Sequence, residues 1–267
     1  MPLVALLLLF GCSRLDLGLV ELLSELRVVA LKADQPEVAA GTTVTITPVV
    51  SDFKGGGRAL TYSVSGCLDP ASIGEQAERC DSRADRVEIA ASTGVTGLSS
   101  PHYTGAINTF SVTVPPAVLT LASGVQKANG WWYLVQFALT ASDGATVTAV
   151  KRILVSNRGT VNTNPTLTSV IADGAALATL PTDRTTLSAS VPAASKQSYT
   201  LTFSDGSTKS QDESLAVRWF ITSGTLTSAT TGTEGTTDWQ SPTAPATLVT
   251  VLSDGRGGTD YQIFSSP

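Results

Sequence analysis

The sequence has little of the chemistry that most enzymes use: among 267 residues there is one histidine, and only 15% of the residues are charged. A zinc site built on several imidazoles is excluded by the number of histidines alone. His102 lies in a loop beside Tyr103, whereas serine–histidine catalysis needs an imidazole held against both a nucleophile and a carboxylate. We therefore predict that the protein is not an enzyme, and a hydrolase based on His102 is the alternative.

Concentrated positive charge is also missing. The chain has 17 lysines and arginines against 22 aspartates and glutamates, a net charge of −5, and its basic residues are scattered. Proteins that bind nucleic acid concentrate lysine and arginine on one face, where these residues neutralise phosphates. The composition therefore predicts no nucleic-acid partner.

Close-set acidic residues, which a calcium site requires, are lacking as well. Calcium takes about six to eight oxygen ligands, usually from several neighbouring carboxylates. The aspartates that precede glycine in turns are isolated from one another: Asp143, Asp205 and Asp254. The adjacent acids Asp212 and Glu213 are predicted to be solvated loop residues rather than a glycosidase pair. We therefore expect no metal ion and no cofactor.

What the sequence does contain is threonine, serine, valine, alanine and glycine in short runs that alternate between apolar and polar residues. This pattern is typical of β-strands joined by polar turns. The clearest hairpin joins residues 131–140 to residues 146–156 through Asp143-Gly144, because glycine accepts the positive φ of a tight turn. One face of its first arm is entirely apolar and is predicted to face the core: Trp131, Tyr133, Val135, Phe137 and Leu139.

A polar segment divides the chain into two similar halves. Residues 157–164 are polar without periodicity, Pro165 follows, and Ser-Asp-Gly occurs in the turn of the last hairpin of each half. Short strands with turns about every 8 to 12 residues are typical of β-sandwiches. The sequence therefore predicts one sandwich at residues 26–157 and a second at residues 165–267, with a short linker at residues 158–164.

The succession of strand, Ser-Asp-Gly and strand at the end of each half, with Asn164-Pro165 at the junction, resembles bacterial immunoglobulin-like, PKD-like and cadherin-like modules. The resemblance implies the fold class: all-β, with two tandem immunoglobulin-like antiparallel β-sandwiches. The inter-sheet cysteine pair of antibody domains has no counterpart here, because Cys67 and Cys80 enclose a single local loop.

An unbroken apolar run, residues 3–10, opens the chain and is followed at once by Gly11 and Cys12. An apolar segment that ends in a small residue before a cleavage point is typical of an export signal. The run is too short to cross a bilayer, which takes about 20 apolar residues. A plain secretory signal or a hydrophobic first strand is the alternative interpretation.

The motif Leu9-Phe10-Gly11-Cys12 resembles the lipobox of bacterial lipoproteins. The resemblance implies a signal peptide at residues 1–11, lipid on Cys12, and a lipidated tether or short helix at residues 12–25. Ser13 rather than aspartate follows the cysteine, which in that family implies the outer membrane. Membrane attachment through an N-terminal lipid is therefore expected.

The cysteine count agrees with export. Three cysteines are an odd number, and lipid on Cys12 leaves one pair, Cys67 and Cys80. In an exported protein such a pair is by default joined in a disulfide. We therefore predict a Cys67–Cys80 bridge.

Aromatic side chains outside the core are the remaining candidates for binding. Trp132 points away from the predicted core face, Trp239 lies in a loop-like stretch, and Tyr103 lies in a loop. Exposed tryptophan stacks on sugars or anchors a protein partner. The sequence predicts a lipoprotein of the bacterial cell envelope, on the periplasmic face or cell surface, that acts as a structural, adhesion or scaffold module through a protein partner. A glycan-binding module that uses an exposed tryptophan is the alternative.

Overall fold

The structure, a computed structural model, describes residues 21–53, 55–69, 79–81, 83–92, 102–120, 122–240 and 245–266. Within these ranges the regular secondary structure is almost entirely β-strand, with one α-helix and two short 3₁₀ helices. The prediction of an all-β fold with immunoglobulin-like antiparallel sandwiches is confirmed. The predicted signal peptide and Cys12 lie outside the described residues.

The first half contains a 3₁₀ helix, Pro116–Leu119, and elements with the following bounds: β1 (Arg27–Ala33), β2 (Glu37–Val38), β3 (Thr43–Asp52), β4 (Leu60–Leu68), β5 (Val87–Ser92), β6 (Tyr103–Ala106), β7 (Phe110–Thr113), α1 (Gly124–Asn129), β8 (Trp131–Ala141) and β9 (Thr146–Val155). One sheet has the order β1-β3-β6, with β7 also paired to β3, and the other has the order β2-β9-β8-β4-β5. The pair of β2 with β9 is parallel, and the other pairs are antiparallel.

The core of the first half lies between these two sheets, because alternate residues of each strand point inward. The rings of Phe110, on β7, and Phe137, on β8, stack with their centroids 5.7 Å apart. The predicted apolar face of β8 is confirmed, since every one of its residues is buried in this core. Burying a large apolar side chain stabilises the fold by about 1.5–3 kcal/mol. A slip of one residue would expose this whole face, so its burial fixes the register of the hairpin.

Strand β3 changes partner at Pro48. Residues 43–46 pair with β7, residues 49–52 pair with β6, and the backbone N–H of Ile107 donates to the Pro48 carbonyl over 3.0 Å. Proline has no N–H to donate to a neighbouring strand. Pro48 is accommodated in a central strand because it lies at the gap between the two partners.

The second half contains a 3₁₀ helix, Ala193–Ser195, and strands with the following bounds: β10 (Ser169–Ala172), β11 (Ala175–Ala176), β12 (Thr185–Ser190), β13 (Ser198–Thr202), β14 (Thr208–Asp212), β15 (Ala216–Ile221), β16 (Thr225–Leu226), β17 (Thr230–Thr231), β18 (Thr236–Gln240), β19 (Thr247–Ser253) and β20 (Thr259–Ser265). Its two sheets have the orders β11-β10-β12-β18-β16 and β17-β15-β19-β20. Strands β13 and β14 form a separate hairpin between β12 and β15.

Two tryptophans dominate the core of the second half. Trp219, on β15, and Trp239, on β18, are both fully buried. The indole N–H of Trp219 donates to Oγ1 of Thr231 over 3.1 Å, so this polar atom is satisfied inside the core. The buried residues of this core and those of the first core lie on opposite sides of residues 157–165.

Candidate functional site

The two halves meet through residues that lie outside both cores, and we call the contact between residues 21–155 and residues 166–266, together with the linker between them, the joint. A separate apolar cluster forms its centre: Leu23, Ala30, Val49, Phe220, Val249 and Val251. Outer-face residues of a sandwich normally face water. Their burial therefore depends on the opposite half, which makes the joint a candidate for function rather than part of either core.

The segment Glu21–Leu23 lies against the second half. The backbone N–H of Leu23 donates to the Ile221 carbonyl over 2.7 Å, and the N–H of Ile221 donates to the Glu21 carbonyl over 2.9 Å. Leu22 and Ile221 form a parallel β-bridge, and Leu23 is fully buried. The predicted short helix does not form in residues 21–25, because these backbone groups pair with β15 instead of with one another.

Arg256 joins buried carboxylates from both halves. Its Nη2 lies 3.1 Å from Oε2 of Glu37, and its Nη1 lies 3.0 Å from Oε1 of Glu213. Its guanidinium also lies over the ring of Tyr199, 4.1 Å from the ring centroid. The Arg256 guanidinium neutralises the two carboxylates, whose burial without a cation would be costly.

The prediction that Glu213 is a solvated loop acid is wrong, because only 3% of this residue is exposed. Burial raises the pKa of Glu213, while a hydrogen bond from the Gln197 backbone and the guanidinium of Arg256 oppose that rise. Glu37 is buried more fully still and also accepts hydrogen bonds from Ser156 and from the Asn162 backbone. Both carboxylates are therefore satisfied inside the protein.

The predicted linker takes part in the same polar region. The side-chain amide of Asn162 donates to Oδ2 of Asp254 over 2.8 Å. The other carboxylate oxygen of Asp254 accepts from the backbone N–H groups of Arg256 and Gly258, over 2.7 and 2.8 Å. Asp254 therefore shapes its turn, as the Ser-Asp-Gly motif predicts, and also holds the linker. Gly255 follows with a φ of 74°, which suits glycine.

Lys151, on β9, brings a buried amine to the joint. Its Nζ donates to the Gly257 carbonyl over 2.5 Å and to Oγ1 of Thr259 over 3.1 Å. Burial lowers the pKa of Lys151 to about 8, and the nearby charge of Asp254 partly offsets this effect. The ammonium group of Lys151, in the first half, is thus bound by oxygen atoms of the second half.

The hairpin β13–β14 extends the joint to α1. The side chain of Asn129, at the end of α1, donates to the Thr202 carbonyl and accepts from the Thr202 N–H, each over 2.8 Å. A polar cleft of about 350 Å³ lies between this hairpin, the end of α1 and the linker. Its lining includes Arg158, Thr160, Ser198, Tyr199, Thr200 and Thr202.

Trp239 is not available for binding. The sequence places it in a loop-like stretch, but it lies on β18, which pairs with β12 on one side and β16 on the other. The pairing turns its side chain into the second core, where it is fully buried. The prediction of a binding site at Trp239 is therefore wrong.

Trp132 and Tyr103 are half-buried and lie in different sheets of the first half. A side chain added at Gly257 would come within 3.4 Å of the Trp132 ring, so Trp132 lies at the joint. The hydroxyl of Tyr103, on β6 rather than in a loop, donates to the Ala106 carbonyl. Burial raises the pKa of Tyr103, and Tyr261 of the second half adds to the rise. The predicted aromatic candidates therefore do not form one surface.

The remaining candidate groups have local roles. Nδ1 of His102 lies 3.0 Å from the Phe53 carbonyl, and the two rings lie 4.8 Å apart. Asp143 pairs with Arg58 and accepts from the Ala145 backbone, while Asp205 accepts from Ser207 in its own turn. Within the described ranges, no group of three or more His, Cys, Asp or Glu residues is placed to hold a metal ion.

The predicted disulfide is confirmed. Cys67, on β4, is bonded to Cys80, and both are fully buried beside Leu134. Most of the loop between them, residues 70–78, lies outside the described residues, as does Cys12. In the part of the chain that the structure describes, no helix has the length and apolar character needed to cross a membrane.

Local sequence patterns do not predict the joint. Glu37 and Arg256 are separated by 219 positions and belong to no shared motif. The one available signal was Ser-Asp-Gly at residues 253–255, which marks the turn but not the side chains that the turn contacts.

The fold and the joint together define a protein of immunoglobulin-like β-sandwiches packed against each other. No protein-family model and no curated protein matches the chain. It is similar to red sea bream transglutaminase (12% identity, TM-score 0.31, covering 91% of this chain and 31% of that chain). It is also similar to the major pilin subunit of Bacillus cereus (10%, 0.27, covering 70% and 66%) and to Salmonella alpha-2-macroglobulin (10%, 0.28, covering 91% and 17%). At these scores the similarities carry no conclusion about function.

Proposed function

We propose that the protein is a membrane-anchored structural or scaffold module of the cell envelope that acts through contacts with another protein. The observation that carries the proposal is the joint, in which Arg256 bridges Glu37 and Glu213 of opposite halves. Domains joined by a small interface move relative to each other, whereas a buried interface restrains them. Two sandwiches that are restrained in this way present their surfaces in one fixed arrangement, as a scaffold requires.

A lipid on Cys12 is part of this proposal. The chain from Cys12 to Glu21, if fully extended, spans about 30 Å at most. Because Glu21 and Leu23 pair with Ile221, the lipid would hold this edge of the second half within that distance of the membrane surface. The two sandwiches would then stay close to the bilayer surface.

A route for contact with a protein partner lies on the first half. Among the strands that the structure describes, β5 ends its sheet, and Val87 at the beginning of this strand is 51% exposed. The end strand of a sheet offers unpaired backbone groups to which a strand from another protein adds. This edge supports recognition of a protein and does not depend on the anchor.

Cross-linking in cells, followed by purification from membranes, tests the proposal. We expect the wild-type protein to be recovered in a defined complex, and the Cys12→Ala variant to leave the membrane fraction and lose that complex. The Ser13→Ala variant is the matched control and should behave as the wild type does. Intact mass should show lipid on Cys12. A wild-type chain that retains an unmodified Cys12, or that cross-links to no protein, would contradict the proposal.

A further inference from the structure

The cleft at the joint contains polar groups that the proposed function does not use. It lies where α1, the linker and the hairpin β13–β14 come together, and its volume is about 350 Å³. Small-molecule sites commonly occupy about 300–1,000 Å³ and often lie between domains. The cleft therefore has room for a small ligand or for one unit of a longer one.

A row of hydroxyl groups forms one wall. Ser198, Thr200 and Thr202 alternate with Tyr199 and Leu201 along β13, so their side chains share one face, about 7 Å apart. Ser198, Thr200 and Thr202 all line the cleft. Within the described ranges, the hydroxyls of Thr200 and Thr202 have no hydrogen-bond partner. A wall of this kind suits a ligand that itself carries several hydroxyl groups.

Arg158, of the linker, lies among the residues that line the cleft. Its Nε donates to the Ala128 carbonyl over 2.9 Å, which fixes the guanidinium. In the part of the chain that the structure describes, its terminal nitrogens have no hydrogen-bond partner. Burial lowers the pKa of Arg158, the charge of Arg256 adds to that effect, and Glu37 opposes it. In the described residues no ion pair joins Arg158 to Glu37, which is bonded to Ser156, Asn162 and Arg256.

We propose that this cleft binds an acidic saccharide. The planar guanidinium of Arg158 offers paired N–H donors, the geometry that binds a carboxylate with two hydrogen bonds. The sugar hydroxyls then bond to Thr200, Thr202 and Thr160, which line the same cleft. The site is distinct from the tryptophans predicted from the sequence. It requires neither the lipid nor a protein partner, so it stands apart from the proposed function.

Calorimetric titration of the full chain with a short oligogalacturonate tests the assignment, with a neutral oligogalactan of matched length as the second probe. We expect the acidic probe to bind and the neutral probe to bind at least about tenfold more weakly, since a hydrogen-bonded charge contributes that much to affinity. Arg158→Gln should cost about tenfold for the acidic probe. Thr200→Val should also weaken its binding, because a sugar hydroxyl loses its partner.

Arg184→Gln is the matched control, because Arg184 is exposed and pairs with Asp238 away from the cleft. It should bind the acidic probe as the wild type does, and all variants should keep the wild-type Tm. Failure of the wild type to bind the acidic probe, or unchanged binding in Arg158→Gln, overturns the proposal. Equal binding of oligoglutamate that depends on Arg158 but not on Thr200 assigns the cleft to an acidic peptide and overturns it as well.

Discussion

The Nη2 atom of Arg256 lies 3.1 Å from Oε2 of Glu37, and this ion pair joins the last turn of the chain to its second strand. The Arg256 side chain is 11% exposed and the Glu37 side chain is fully buried. Exposed ion pairs contribute about 0–1 kcal/mol, but removing one partner of a buried pair costs about 3–5 kcal/mol. The ion pair therefore restrains the joint chiefly because separating its two charges would leave each one buried without a partner.

Replacing Arg256 with methionine should lower the free energy of unfolding by about 3 kcal/mol, because two carboxylates would remain buried without their cation. Urea denaturation measures this change. Glu37→Gln should cost less in the Arg256→Met background than in the wild type, which a double-mutant cycle reports as coupling. Arg184→Met, at an exposed ion pair, is the control and should leave the denaturation midpoint unchanged. Strictly additive effects of Glu37→Gln and Arg256→Met would argue against the pair.

Leu23→Ala should lower the free energy of unfolding by about 3 kcal/mol, the range for a fully buried leucine. The change leaves a cavity in the apolar centre of the joint and weakens the contact of residues 21–23 with β15. Thermal and urea denaturation measure the loss. Val87→Ala, at an exposed position, should change stability by no more than about 0.5 kcal/mol. If the two variants were equally stable, residues 21–23 would not belong to the folded unit.

Because its pKa is lowered, Lys151 should make the free energy of unfolding rise with pH above pH 8. Its pKa is about 8 in the folded protein and 10.5 in the reference state, so between these values the unfolded chain binds more protons. The free energy of unfolding should therefore increase by about 2 kcal/mol from pH 8 to pH 10. Urea denaturation at each pH measures this increase, which Lys151→Met should abolish and Lys127→Met, at an exposed position on α1, should retain.

The measurement should stop at pH 10, because burial raises the pKa of Tyr133 to about 12. Above pH 10 the unfolded chain loses its tyrosine protons first, which lowers stability and opposes the contribution of Lys151. A wild-type profile that is flat between pH 8 and pH 10 would show that Lys151 is not buried.

The Cys67–Cys80 bridge should contribute about 3 kcal/mol, because it closes a loop with a sequence separation of 13 and restricts the unfolded chain. Replacing both cysteines with alanine should lower the free energy of unfolding by that amount in non-reducing buffer. Adding a reductant should destabilise the wild type and leave the double variant unchanged. An equal response of both proteins to reductant would indicate that the bridge is not formed in solution.

Sequence patterns predict the elements that depend only on residues close together in the chain. The hairpin around Asp143-Gly144 and the buried face of β8 follow from alternation and turn chemistry, and both are present. Helix α1 carried a local signal as well, because Ser123 and Gln126 form a capping box, the Ser-x-x-Gln pattern that marks a helix start.

The joint could not be predicted in the same way. A short strand in which tryptophan has two polar neighbours has no distinctive period, so the sequence pattern predicts a loop at Trp239, which lies on β18. Glu213 follows an exposed aspartate, and the polar sequence around it is typical of a solvated loop. Only the ion pair with Arg256, which is distant in the sequence, offsets the cost of burying the Glu213 carboxylate. Contacts between residues far apart in the chain leave no mark on the periodicity of either segment.

The hydrogen bonds that Ile221 makes with Glu21 and Leu23 set an order of events during synthesis. Residues near the start of the chain find their position only when β15 of the second half has been made, so this contact closes late. Until then Leu23 stays open to solvent. The joint is therefore completed only after the strands of both halves have been synthesised.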